Sequence, residues 1–163
     1  MNKKSVKTIK NYTSGIEASR SMAMIEEMLV SAGATDFNKS YSKDGTCRHI
    51  TFSLAAPPIT QMFFKLPAKV DQCFKVLQEA HAREQVNPLR DSTTKTLKSQ
   101  AHRTAWKIIH DWVELQLSMI KLEQIEPIEA FLAYAYDPST DQTLYERLKQ
   151  REFKQLTSGI DPL

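Results

Sequence analysis

The first hydrophobic pattern along this chain has the spacing of an α-helix. Apolar residues recur at three- and four-residue steps over residues 18–29, which predicts an amphipathic helix. The preceding run SGIE (14–17) has the pattern of a capping box, with Ser14 as the capping residue and Glu17 reaching back to it. Gly33 follows the last periodic residue and can adopt the left-handed conformation at which helices commonly end.

An alternation of apolar and polar residues then replaces the helical spacing. It covers three short stretches, residues 37–41, 46–54 and 60–66. Asp44-Gly45 is a strong hairpin signal between the first two stretches, and Pro57-Pro58 interrupts the pattern before the third. Strands that alternate in this way bury one face and leave the other in water. We therefore predict a three-stranded antiparallel meander.

Helical spacing returns after Pro67 and continues to the C-terminal region. Residues 70–84 predict one helix and residues 92–124 a much longer one. A broad apolar arc on the long helix predicts that it is buried, with Trp112 in the middle of the arc. The arc contains Leu97, Ala101, Ala105, Ile108, Trp112, Leu115, Met119 and Leu122. Two shorter helices are expected after Pro127 and around residues 144–148.

These elements predict an α+β domain in which helices pack on the meander in the order α-β-β-β-α, followed by a long buried helix and two short helices. The length of 163 residues fits one domain of ordinary size. We expect a flexible basic N-terminal arm over residues 1–12, a single domain over 13–156 and a C-terminal tail over 157–163.

Composition indicates a reducing compartment and no membrane span. The two cysteines, Cys47 and Cys73, are too few for a disulfide scaffold of a secreted protein. The N-terminus has no apolar run behind its lysines, and no stretch approaches the about 20 apolar residues of a spanning helix. We therefore expect a cytoplasmic protein.

The charges are distributed unevenly along the chain. The net charge is only +3, but residues 65–107 carry nine basic and four acidic side chains, whereas residues 108–163 carry five basic and ten acidic ones. A basic block of this kind can bind phosphate groups or can simply be solvated. If it binds nucleic acid, the expected contacts are Lys65, Lys69, Lys95, Lys98, Arg103 and Lys107. Lys65 and Lys69, with Lys75, surround the start of a helix, where backbone N–H groups favour anions.

Catalytic and metal-binding patterns are not evident. Cys47, His49, Cys73 and His81 do not have the spacing of a zinc site. His110 and Glu114 lie one turn apart on a helix, as ordinary surface pairs do. The four glycines form no phosphate-binding loop. We therefore expect no enzymatic activity, no catalytic residues, no metal and no cofactor.

A second hypothesis assigns the chain to a different class of protein. The acidic C-terminal third would suit a protein-binding modulator of a host or element-encoded enzyme, such as an anti-defence or regulatory factor. Its candidate acidic residues are Glu123, Glu126, Glu129, Asp137 and Asp141.

Three segments together resemble a known family. They are FKLPAKVD (64–71), QAHRTAWKIIHDWVELQLSMI (100–120) and FLAYAYD followed by TLYERL (131–148). They resemble a widespread family of small uncharacterised proteins encoded in bacteriophages, prophages and integrative mobile elements. The resemblance covers about residues 10–156, and the Arg-Thr-Ala-Trp run is its most specific part. It implies a bacterial or phage cytoplasm and a mobile-element context, and it assigns no catalytic residue.

Overall fold

The computed structural model describes residues 9–84 and 91–157. Its elements, in chain order, are α1 (Ala18–Ser31), β1 (Thr35–Tyr41), β2 (Cys47–Ala56), β3 (Ile59–Pro67), α2 (Val70–Glu84), α3 (Asp91–Lys121), α4 (Pro127–Phe131), a 3-10 turn (Leu132–Tyr134), β4 (Tyr136–Asp137), β5 (Gln142–Thr143), α5 (Leu144–Gln150) and α6 (Lys154–Thr157). The strands β1, β2 and β3 form one antiparallel sheet in chain order. The predicted α+β class, the meander and the long helix are confirmed.

Parts of the predicted terminal segments lie outside the described residues. These are residues 1–8 of the expected arm and residues 158–163 of the expected tail. Residues 9–12 lie against α3, where Ile9 packs on the core and Asn11 bonds to helix side chains. The predicted capping box at 14–17 is not formed. Glu17, not Ser14, precedes α1, and it provides no side-chain cap.

The core lies between the sheet and the helices α1 and α3. Aromatic rings form its centre: Phe52 stacks on Phe64 with centroids 5.4 Å apart, and Phe131 contacts both edge-on. Trp106 of α3 is fully buried and donates its indole N–H to the backbone oxygen of Cys47 on β2 at 3.3 Å. This hydrogen bond satisfies the one polar atom of the ring and fixes α3 to the sheet.

One strand departs from simple alternation. Alternation places Arg48 on the same face as the buried Ile50, but Arg48 is exposed and Cys47 is buried. The cause is a β-bulge, because Ser40 pairs with His49 while the next residue of β1, Tyr41, pairs with Cys47. Arg48 is the extra residue on β2, and a bulge re-aims the side chain of that residue.

The buried face of α3 follows the predicted arc at Ala101 and Ala105 and departs from it in the second half of the helix. Trp106, His110 and Val113 are buried and continue the inner face toward Leu117 and Ile120. Of the predicted arc, Leu115 is 57% exposed and Leu122 is 69% exposed. We expected Trp112 to be buried, but it is only partly buried. Its ring packs edge-on against Phe131 and Tyr134.

The C-terminal segment extends the sheet. A bridge between Phe64 and Ala135 places the β4–β5 hairpin at the free edge of β3. Thr143 then caps α5 in a capping box with Glu146, so the direction of α5 is fixed by local hydrogen bonds.

Within 9–84 and 91–157, no helix has the length and apolar character needed to cross a membrane.

Candidate nucleic-acid interface

The six basic residues predicted to contact nucleic acid fall into three separate places. Arg103 and Lys107 point toward the N-terminal segment, Lys65 and Lys69 line a groove at the end of the sheet, and Lys95 and Lys98 are exposed on the first turns of α3. The fold therefore does not bring the six together into one surface.

Arg103 holds the N-terminal segment on α3. Its Nε donates to the backbone oxygen of Ser14 at 3.2 Å, and its terminal nitrogens donate to Gln100 at 2.7 Å and Ser99 at 2.8 Å. The next residue, Thr104, donates its hydroxyl to the backbone oxygen of Asn11 at 2.9 Å. The side chain of Arg103 is only 20% exposed. Arg103, one of the expected nucleic-acid contacts, is therefore largely covered by groups of the chain itself.

Lys107 is engaged by the same region. It forms an ion pair with Asp111 one turn later. Asp111 also accepts hydrogen bonds from Lys10 at 2.8 Å, Asn11 at 2.9 Å and His110 at 3.0 Å. We call Arg103, Thr104, Lys107 and Asp111, with residues 10–14 that they bind, the N-terminal anchor. The side chain of Lys107, another of the expected nucleic-acid contacts, is only 18% exposed.

The pKa of Asp111 reflects this crowding of donors. Burial raises it, but the hydrogen bonds from Lys10, Lys107, Asn11 and His110 outweigh burial and hold it well below its usual range. Asp111 is therefore ionised at neutral pH. His110, Asp111 and Glu114 have the donor types of a metal site and lie close together. Two ammonium groups already occupy the Asp111 carboxylate, so this arrangement is better described as an ion-pair cluster than as a metal centre.

The second place is a polar groove of about 570 Å³ at one end of the sheet. It lies where the β1–β2 turn, the bulge of β2 and the start of α2 meet. We call it the charged groove. Three of its basic side chains, Lys65, Lys69 and Lys75, surround the start of α2 as the sequence predicted, and the fold adds a fourth, Arg48 of β2.

Within the described part of the chain, only one of these four cations forms an ion pair with a carboxylate. Lys65 pairs with Asp141 at 2.8 Å and is nearly covered by it. Among the described residues, Arg48, Lys69 and Lys75 form no ion pair, and all three are exposed. Burial lowers the pKa of His49 in the same groove, and the charge of Lys65 lowers it further, which keeps the imidazole neutral at pH 7.

The acidic residues of the groove are partly occupied by local hydrogen bonds. Asp44 accepts from Ser42 at 2.6 Å and from the Thr46 backbone, and these bonds lower its pKa to about 2. Glu146 accepts from the Thr143 backbone at 2.8 Å, and this bond, more than the nearby lysines, lowers its pKa. Asp71 lies in the first turn of α2, where the helix dipole favours a negative charge. These carboxylates stabilise turns and helix starts, and Arg48, Lys69 and Lys75 remain available to an external anion.

The third place is on the first turns of α3. Lys98 of α3 lies over the ring of Phe74, with its Nζ 5.9 Å from the ring centroid. Neither Phe74 nor Lys98 lines the charged groove. Lys95 is exposed one turn earlier on α3.

A second, mostly apolar groove of about 690 Å³ adjoins the first. It runs between α2, α3 and the C-terminal segment, and we call it the apolar groove. Its floor includes Val76, Ala105 and Ile109, and its far side carries Tyr134 and Tyr145. Cys73 also lines it, and burial raises the pKa of this thiol to about 11, so the thiol stays protonated and unreactive.

The two grooves adjoin each other. Their shared lining residues are Pro67, Lys69, Gln72, Thr143 and Glu146. A ligand that places a negative group beside Lys69 can therefore extend an apolar group toward the tyrosines.

Sequence reasoning missed two contributors to this region. Arg48 was assigned to the apolar strand face, and the only signal against that assignment was its own charge, since the bulge depends on strand pairing. Tyr145 was assigned to the packed face of a terminal helix, but it is 51% exposed.

The comparison of the chain with family models, curated proteins and solved structures gave no match. The resemblance to the phage and mobile-element family therefore stays a hypothesis based on the quoted segments.

Proposed function

We propose that this protein is a non-enzymatic accessory protein of a phage or mobile element that binds nucleic acid in the cytoplasm. The charged groove holds the phosphate groups. The observation that carries the proposal is the convergence of Arg48, Lys69 and Lys75, none of which has a carboxylate partner among the described residues. Phosphate oxygens are the anions that such clusters bind, and each contact releases a condensed counterion from the nucleic acid.

The geometry favours backbone contacts over base-specific ones. The basic side chains lie on the bulge of β2, on β3 and around the start of α2. They are lysines and one arginine from different elements, whereas base-specific readers present a row of side chains from one helix to a groove in DNA. Binding is therefore expected to tolerate sequence and to weaken steeply with salt.

The test is fluorescence anisotropy with labelled oligonucleotides at two salt concentrations. The double variant Lys69→Gln, Lys75→Gln should weaken binding and reduce the slope of log affinity against log salt by about 2. A matched control, Arg83→Gln with Lys121→Gln, removes the same charge from exposed positions outside the charged groove. The control should lose less affinity than the groove variant. Equal losses from both variants, or no binding by the wild type at low salt, would contradict the proposal.

A second function, binding to a protein partner, is favoured by a different surface. Trp112, Leu115, Met119 and Leu122 form an outer stripe on α3 that the described residues leave half-buried or exposed. The spacing of these residues alternates three and four, as in a helix that pairs with another helix. The acidic residues first assigned to this role are partly used within the fold. Asp141 pairs with Lys65, and Glu126 and Glu129 form the capping box of α4.

A pull-down from the native host, with and without nuclease, separates the two functions. A protein partner on the outer stripe should be retained after nuclease treatment and lost when Leu115 and Leu122 are both replaced by Glu. A nucleic-acid-binding protein should instead lose its captured material on nuclease treatment and keep it in the double Leu variant.

A further inference from the structure

The apolar groove contains features that a phosphate site alone does not require. It adjoins the charged groove at Lys69 and Gln72, which line both, and a further cation, Lys149, lines it. Its apolar floor and its two tyrosines lie within the same cavity as these lysines. Such an arrangement matches a ligand that alternates negative groups with flat apolar groups.

We infer that the ligand is single-stranded nucleic acid, with phosphates in the charged groove and unstacked bases in the apolar groove against Tyr145 and Tyr134. The inference rests on the proposed function and names the class of nucleic acid that the same site takes. Single-stranded binding sites typically combine a basic groove with aromatic rings on which bases stack. The volume of about 690 Å³ is within the range of small-ligand sites, which is sufficient for bases that leave their stack.

The two tyrosines are positioned differently for this role. Tyr134 is supported by the Trp112 ring, with centroids 5.3 Å apart, so its orientation is fixed by packing. Tyr145 is half-exposed at the start of α5 and touches Phe153 with centroids 6.0 Å apart. Because Tyr145 packs little against the core, it can be replaced without removing a core side chain.

A duplex cannot use both grooves. Its bases are stacked inside the helix, so it presents phosphates and groove edges to a protein. A duplex could contact Arg48, Lys69 and Lys75, but it could not insert a base beside Tyr145 without unstacking it, which costs a few kcal/mol. Single strands should therefore bind more tightly than duplexes of the same length.

The experiment compares oligothymidylate and oligouridylate of about 16 nucleotides with a duplex of equal length, by fluorescence anisotropy at low salt. Tyr145→Ala should weaken binding to the single strands about 5- to 150-fold and leave duplex binding unchanged. Tyr145→Phe keeps the ring and should restore the single-strand affinity. Tyr41→Ala removes an equally exposed tyrosine, 52% against 51%, that lines neither groove, and it should change nothing.

The outcomes distinguish this inference from the proposed function. If Tyr145→Ala binds both single strands as well as the wild type does, or if the duplex binds more tightly, the inference is wrong. The proposed function then still stands, provided that Lys69→Gln with Lys75→Gln weakens binding. If the wild type binds none of the three oligonucleotides, the proposed function fails as well.

Discussion

Lys69 and Lys75 at the start of α2 and Arg103 and Lys107 in the middle of α3 belong to the same basic block of the sequence. The first two are exposed and, among the described residues, have no carboxylate partner. The second two are largely covered, and their hydrogen bonds and ion pairs hold the N-terminal segment and Asp111. Four similar charges therefore divide into a pair that can bind an external anion and a pair that stabilises the fold.

The difference teaches that the partner of a charge, more than the charge itself, decides its role. A cation that already donates to a carboxylate and to backbone oxygens must lose those bonds before it can contact a phosphate. An exposed lysine without such bonds loses only water and counterions. The two pairs should therefore respond oppositely when stability and binding are both measured.

The largest expected effect concerns the acidic centre of the N-terminal anchor. Asp111→Ala leaves Lys107 and Lys10 without their carboxylate and should reduce the free energy of unfolding by about 2–4 kcal/mol. Urea denaturation at pH 7 measures the loss. Glu114→Ala is the matched control, because Glu114 is one turn away and exposed, and it should change stability by no more than about 0.5 kcal/mol. Equal effects of the two variants would show that the anchor contributes little.

Acidification should remove part of the contribution that Asp111 makes to the free energy of unfolding. The folded pKa of Asp111 lies below the unfolded value of about 3.9, so its contribution is complete above that pH and is lost as the pH falls below it. The stability difference between wild type and Asp111→Ala should therefore narrow by about 1–2 kcal/mol between pH 6 and pH 2.5 or so. Urea melts of both proteins across this range measure it, and a constant difference would count against an ionised Asp111 as the stabilising group.

A smaller loss of stability is expected at Arg103. Arg103→Gln removes the donor to the Ser14 backbone oxygen and to two side chains, and it should cost about 1–2 kcal/mol. Affinity for oligonucleotides should change less than about twofold, since the side chain does not line the charged groove. Lys95→Gln, an exposed position on the same helix, serves as the stability control. A large loss of affinity without a loss of stability would indicate instead that Arg103 contacts the nucleic acid.

The smallest change in stability is expected at Lys69 and Lys75, whose replacement should have the greatest effect on nucleic-acid binding. Lys69→Gln and Lys75→Gln remove exposed charges that make no ion pair among the described residues, so each should shift the free energy of unfolding by less than about 0.5 kcal/mol. Thermal melts of the double variant measure this. A marked destabilisation would mean that these lysines also support the fold, and the contrast with Arg103 and Lys107 would then disappear.

The local pattern of residues was sufficient to predict the main elements. The alternation of 46–54 and the dipeptide Asp44-Gly45 predicted β2 and its hairpin, because strand periodicity and turn chemistry act over a few residues. The periodicity of 92–124 predicted α3 for the same reason. These features require no knowledge of what each element packs against.

Long-range packing decided the rest. The second half of α3 has two apolar stripes, one through Trp106 and Val113 and one through Trp112 and Leu115, and helical spacing alone cannot choose between them. The fold buries the first stripe, because the Trp106 indole N–H donates a hydrogen bond to the backbone oxygen of Cys47 on β2. The exposure of Arg48 likewise follows from a bulge that exists only once β1 and β2 are paired.

The sequence by itself determined the order and type of the elements and the excess of positive charge in its middle. Only the tertiary structure decided which of those charges remain available. Arg103 donates to the backbone oxygen of Ser14, 89 residues away in the chain. Lys107 pairs with Asp111 one turn later, and Asp111 accepts a hydrogen bond from Asn11, 100 residues away. Hydrogen bonds and ion pairs of that sequence separation form only when the chain has folded, and they have no signature in local periodicity.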